Sequence, residues 1–281
     1  MLKTRLLSTL KDRSPAESAH FKDAPIIVTR KFLRDALNES KAKNFASESN
    51  QQFEIYHARD KIAGKSVSSE QQRRLWKLGA SDTGDSIGKL PLIPGMPVMI
   101  TENAATSAHI VNGSRGILKS ITYDSDADGN KFAVCALVHI PESALDVPGL
   151  SDGTVPILPV TSSFVFPTNT KKINVRRTQL PILPGWAFTD FKIQGSTMTK
   201  VVVDLTGAKT LQSIYVMLSR VSCLRDVAIL RWFSSRTLYG SLQGDAREEM
   251  QWLRRVATWT REKYLVQHEN DGDNVDHERT N

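Results

Sequence analysis

Apolar and polar positions follow three successive rhythms along this chain. Residues 25–29 (PIIVT) form a short apolar run, and over residues 30–43 Phe32, Leu33, Ala36 and Leu37 recur at helical spacing, which predicts a strand feeding a helix. Residues 46–70 are polar apart from an alternating segment at 53–58, a predicted strand, and residues 79–88 (GASDTGDSIG) have the composition of a loop. Between Pro91 and Pro184 the runs shorten to 97–101, 116–123, 131–140 and 156–159, separated by Gly, Pro, Asp and Asn, an all-β signature. Prolines in this stretch argue against long central strands, so a small barrel-like insert with extended excursions is expected.

Strand and helix alternate again after Trp186. Residues 201–205 (VVVDL) predict a buried strand, residues 211–220 place Leu211, Ile214, Tyr215 and Leu218 on one helical face, and residues 226–230 predict a further strand. That order implies a parallel α/β sheet. Leu238, Leu242, Met250, Leu253 and Val256 predict one or two closing helices. The expected architecture is an α/β lobe, residues 21–90 and 185–265, interrupted by a β-rich insert, residues 91–184, with a leader at 1–20 and an acidic, disordered tail at 266–281.

Composition narrows the function classes. At 281 residues the chain is long enough for one large or two modest domains, and no stretch reaches the roughly 18 uninterrupted apolar residues of a membrane span. Two cysteines, Cys135 and Cys223, exclude a disulfide framework and a four-ligand zinc site, and suit a reducing compartment. The formal charge is +7, but from His268 onward Glu269, Asp271, Asp273, Asp276 and Glu278 face Arg279 alone. The body is therefore more basic than the total suggests, which favours a polyanionic partner. Lys3 and Arg5 among leucines, with no acid in the first ten residues, match both a mitochondrial targeting segment and an ordinary peripheral helix.

Gly64, Lys65 and Ser66 spell the end of a phosphate-binding loop, yet Arg59 stands where that loop needs its first glycine, and the preceding segment is not an apolar strand. Residues 189–198 (TDFKIQGSTM) gather a lysine, a carboxamide and a Gly-Ser-Thr turn just ahead of a predicted strand, groups suited to a phosphate or a nucleic-acid backbone or, equally, to a polar connecting turn. Residues 214–221 (IYVMLSRV) deliver Ser219 and Arg220 at the end of an apolar helix, where a cation serves a ligand or simply the helix terminus. The histidines show no metal-ligand spacing, and the five dispersed tryptophans fit core or interlobe packing better than base stacking.

Together these strings resemble Pif-type, RecD-like superfamily-one DNA helicases, in particular a fungal or Helitron-associated branch. Four blocks occur in the family's order: residues 24–38 (APIIVTRKFLRDALN), 90–116 (with LPLIPGMPVMITEN and VNGSRG), 189–197 (TDFKIQGST) and 215–221 (YVMLSRV). Phe191 and Ile193 depart from the family's His-Lys-Ser-Gln-Gly string.

The resemblance implies a second RecA-like lobe with a Src-homology-3-like insert, in a motor that uses ATP and Mg2+ and moves 5′ to 3′ on single-stranded DNA. By resemblance Gln194, Gly195 and Arg220 serve the ATP site, Arg220 as an arginine finger, while Lys192, Thr197, Asn112 and Arg115 contact DNA. The first lobe, with the Walker A loop and the acidic strand that positions Mg2+, has no counterpart in this sequence, so the chain is not expected to hydrolyse ATP alone. No protein metal site and no membrane partner are expected; the nucleus is the expected compartment, the mitochondrion the alternative. A noncatalytic nucleic-acid-binding or interaction module derived from a helicase is the competing reading.

Overall fold

The computed structural model describes residues 2–145, 147–167, 172–234, 238 and 244–273. The chain begins with α1 (Leu7–Arg13), α2 (Pro15–His20), β1 (Ile26–Val28) and α3 (Lys31–Glu48). A β-rich stretch follows: β2 (Ile55–His57), β3 (Arg59–Ile62), β4 (Lys65–Ser66), α4 (Ser69–Leu75), β5 (Lys89–Pro91) and β6 (Pro97–Ile100). It continues through β7 (Arg115–Ser125), β8 (Lys131–His139), β9 (Thr154–Ile157), β10 (Val160–Pro167), β11 (Lys172–Gln179) and β12 (Ile182–Pro184). The last elements are β13 (Ala187–Thr189), β14 (Val201–Val203), α5 (Leu211–Leu218), β15 (Val227–Ile229) and α6 (Gly244–Asp273). Two compact units result, one of Met1–Gly207 with Tyr215–Phe233, the other of Ala208–Ile214 with Ser234–Asn281.

In the first unit β13, β1, β14 and β15 form a parallel sheet in that order. Its strands are the apolar triplets IIV, AF(T), VVV and VAI, buried at every position, as a sheet covered on both faces requires. Leu10, Phe21 and Ala24 pack on it with Ile26, Val28 and Val202, and Leu33 and Leu37 of α3 join them. The expected leader is thus built into this layer. Leu6 bridges Ile229 in parallel, and the buried Arg5 guanidinium donates to the Val227 carbonyl at 2.8 Å and pairs with Glu17. The expected tail at 266–281 overlaps α6 as far as Asp273, and its remainder lies outside the described residues.

The β-rich part contains an antiparallel sheet, β10-β11-β3-β4, and a seven-stranded sheet, β12-β6-β7-β8-β2-β5, with β9 on β8. Leu90, Met96, Val98, Leu118, Ala136 and Val138 are among its fully covered core residues. Strands from before residue 91 enter both sheets: Asp60 lies opposite Arg177, and Tyr56 opposite Leu90. Long strands do form, against expectation. β7 spans 11 residues and β8 nine, because the prolines fall outside these two runs and leave every ladder amide available. Gly64, Lys65 and Ser66 form the β3–β4 hairpin, with Ile62 opposite Lys65 and Gly64 at φ 78°, instead of a strand-to-helix loop. Arg177 and Asp60 form a buried ion pair, Nε to Oδ1 2.7 Å, that also ties in the Leu75 carbonyl at the end of α4.

Candidate functional site

Ligands of parallel α/β sheets gather beyond the carboxyl ends of the strands, and the segment after β13 lies there. Asn38 of α3 prepares the approach: its carboxamide donates to the Ala187 carbonyl at 3.0 Å and accepts from the Ala187 amide at 2.8 Å, which closes the free edge of β13. A 3₁₀ turn, Asp190–Ile193, follows. Buried Ile193 and Met198 then anchor the two ends of a loop whose Gln194, Gly195, Ser196 and Thr197 are all exposed. Ile193 therefore has a packing reason: a serine there would leave the loop without its inner anchor. Gly195 sits at φ 84° with nothing near its missing Cβ, so left-handed backbone, rather than space, selects glycine.

Arg220 holds this loop from beneath. Its Nε donates to the Val216 carbonyl at 2.6 Å, one of the acceptors that the end of α5 leaves unpaired. One terminal nitrogen donates to the carbonyls of Ile193 at 3.1 Å and Ser196 at 3.0 Å, the other to Ser219 Oγ at 2.9 Å. The Met198 amide in turn donates to the Arg220 carbonyl at 2.7 Å. Gln194, Gly195, Thr197 and Arg220 are thus brought together. The arginine is both helix cap and loop clamp, and among the described residues it forms no ion pair. A buried cation held only by neutral acceptors keeps its attraction for an anion.

The DNA-contact candidates are placed unequally. Arg115, at the start of β7, lies over the Phe188 ring of β13 with 4.9 Å to the centroid, so the β-rich region reaches the strand that feeds the loop. Half-buried Lys192 lines a cavity of about 90 Å³ with Asp85, Thr101, Glu102 and Ser162, and the Asp85 carboxylate there is held by Lys31 and Arg34. Thr197 is exposed. Asn112 is exposed on the turn before β7, its amide donating to Asn103 Oδ1 at 2.9 Å.

Sequence reasoning passed over the group at the ends of β14 and β15. Arg231 grips the Asp204 carboxylate with both sides of its fork, at 3.0 and 2.7 Å, and Thr206 donates to the same carboxylate at 2.6 Å. Burial works against the Asp204 charge, but these hydrogen bonds outweigh it and hold the carboxyl below its usual range. Gly207 packs so tightly here that a Cβ would come within 2.2 Å of Thr29 Oγ1. Strand-terminal Asp204 and Arg231 were visible in the sequence; their pairing across two strands was not. Asp204 already accepts from Arg231 and Thr206, so it does not fit a magnesium ion. Among the described residues no group of three His, Cys, Asp or Glu side chains is placed to hold a metal, and no described helix is long and apolar enough to cross a membrane.

No family model matches the chain, and no curated protein sequence does. Solved structures do match. The crystal structure of Pif1 helicase from Candida albicans is 20% identical over 82% of this chain and 50% of its own, with a TM-score of 0.51. The Bacteroides Pif1 helicase in complex with ADP-AlF3 and ssDNA is 18% identical over 90% of this chain and 49% of its own, at 0.57. Bacteroides Pif1 bound to ssDNA is 17% identical over 84% and 46%, at 0.54. The chain spans about half the length of these helicases, and over that half it shares their fold.

Proposed function

We propose that this chain is the second, RecA-like lobe of an ATP-dependent DNA helicase motor of 5′ to 3′ polarity, with the β-rich region as its Src-homology-3-like insert. One observation carries the reading: an exposed Gln194–Thr197 loop at the carboxyl edge of a parallel sheet, clamped by a buried arginine that pairs with no carboxylate among the described residues. Arg220 would present its fork to the terminal phosphate of ATP, with Gln194 and the Gly195 backbone beside it. ATP supplies the phosphoryl group whose transfer drives such a motor. The phosphate loop and the carboxylates for Mg2+ would belong to a first lobe. Thr197, Lys192, Arg115 and Asn112 would face the backbone of single-stranded DNA. Membership of a fungal or Helitron-associated branch, and residence in the nucleus or alternatively the mitochondrion, belong to the same proposal.

The test joins the chain to the first lobe of a Pif1 helicase. Single-stranded DNA should stimulate ATP hydrolysis by the chimera, while the chain alone should show none above a mock preparation. Hydrolysis by the highly purified chain alone, or a folded chimera indifferent to DNA, would overturn the reading. A second reading, a noncatalytic nucleic-acid-binding module, draws on the engagement of Arg220 by backbone carbonyls, since a guanidinium fixed there stiffens a binding loop without chemistry. DNA binding by the chain together with an inert chimera would favour it.

A further inference from the structure

The aromatic ring most open to solvent is not a tryptophan. Phe191 is 82% exposed, more than any other large apolar side chain among the described residues. Its neighbours Asp190 and Ile193 are both buried, so the 3₁₀ turn Asp190–Ile193 is anchored on either side of the ring and holds it outward. A phenylalanine can bury on the order of 150–250 Å², and water penalises that surface unless something covers it.

The surroundings say what covers it. Gln194, Ser196 and Thr197, exposed just beyond the turn, are polar, Gly195 has no side chain, and half-buried Lys192 is adjacent. One ring in a polar setting is too small for the apolar centre of a protein interface, which gathers several such side chains. It suits a nucleobase: a single ring stacks on a single base, and donors beside it take the phosphates that join that base to its neighbours. Lys192 and the Gln194–Thr197 loop follow the ring, and Arg115 lies over Phe188 on the strand that feeds the turn. Near Lys192, Asp190 is buried and Asp85 is paired with Lys31 and Arg34, while Glu102 is exposed. A strand of phosphates therefore meets two cations against one open carboxylate.

We propose that Phe191 is a stacking platform for one base of single-stranded DNA, set beside the backbone contacts of the loop. The inference rests on the DNA reading of this lobe and adds to it. Phosphate contacts are blind to the bases, whereas a stacked ring registers that a base is present without reading its edges, because every base has a π-face.

The experiment measures anisotropy of two fluorescein-labelled strands titrated with the full chain across a salt series: oligothymidylate, and a strand of the same length and charge in which every nucleotide is abasic. Phe191→Ala should weaken oligothymidylate binding at least about tenfold and leave the abasic strand and the salt slope unchanged. Melting temperature should stay at the wild-type value, since the ring is exposed, and Phe191→Tyr should bind as wild type does. Unchanged oligothymidylate affinity in Phe191→Ala, or an equal loss on both strands, would overturn the proposal and leave the backbone-contact reading standing. Wild-type binding to neither strand would overturn both. If Phe191→Ala spares DNA binding but lowers DNA-free ATP turnover of the chimera, the ring packs against the first lobe and the proposal falls.

Discussion

Arg177 in the β-rich region and Arg220 beside the parallel sheet are both buried cations, and the two regions satisfy them in opposite ways. Asp60, fully buried itself, takes the Arg177 fork at 2.7 and 2.9 Å and neutralises it, while Gln72 donates to the same carboxylate. Among the described residues Arg220 has carbonyls and a hydroxyl as its partners. A closed ion pair joins β3, β11 and α4 and has nothing left to offer a ligand. A guanidinium held by neutral acceptors fixes its loop yet keeps its full charge, and a phosphate can outbid carbonyls for it. One arginine is scaffold; the other is scaffold that an anion can recruit.

The largest expected effect lies on the closed pair. Asp60→Ala should destabilise the chain by about 3–5 kcal/mol in urea unfolding, because it strands a buried charge, whereas Asp60→Leu with Arg177→Met should recover most of the loss. A cost below about 1 kcal/mol for Asp60→Ala would erase the contrast.

Next comes Arg220→Ala. In the chimera it should lower ATP turnover at least about a hundredfold while costing only about 1–2 kcal/mol of stability, and Arg220→Lys should restore stability better than turnover, since an ammonium lacks the planar fork. Equal rescue of both by lysine would reduce Arg220 to a helix cap.

Charge reversal at Arg115 or Lys192 should weaken single-stranded DNA binding several-fold, alike for all sequences, and make the logarithmic salt slope shallower by about one. Lys192→Glu should be the milder change, because Lys192 is half-buried in a cavity that Glu102 also lines. A salt series with unaltered slope would remove either residue from the interface.

The smallest effect concerns acid. For Asp204 burial opposes the charge but Arg231 and Thr206 more than compensate; for Asp85 burial is likewise outweighed by Lys31 and Arg34. Both carboxyls are held below the unfolded value of about 3.9, so their stabilisation is complete above it and is lost as pH falls through the folded values. These two carboxyls make melting temperature decline below about 4, a limb that Asp204→Asn should flatten, while His57, whose pKa burial lowers, adds a separate decline that begins as pH falls through about 6.5. A wild-type limb retained in Asp204→Asn would show that its pairing adds nothing.

Parallel-sheet strands were legible because burial on both faces leaves an unmistakable mark: residues 26–28, 201–203 and 227–229 are uninterrupted apolar triplets, and the helix between the last two shows its face in Ile214 and Leu218. The β-rich region was legible in kind and misjudged in extent. Residues 53–58 alternate as a strand does, residues 59–66 show no such pattern, and nothing local reveals that Asp60 meets Arg177 more than a hundred residues away. The candidate site divided similarly. Residues 189–198 and Arg220 stood out as candidates by type and spacing, but Asn38, Asp204 and Arg231 act through partners on other elements.

Sequence by itself determined the strands at 26–28, 201–203 and 227–229, the helices at 31–48 and 211–218, and the surplus of positive charge, because periodicity and charge are local properties. Only tertiary structure decided that the Gly-Lys-Ser triplet lies in a hairpin, with Lys65 and Ser66 in its second strand, that residues 2–20 join the parallel layer, and that Arg220 rests on the loop it was expected to act beside. The reason is physical: a backbone carbonyl or a buried carboxylate accepts from whichever donor the fold brings within 3 Å, and that neighbour is set by the packing of distant elements.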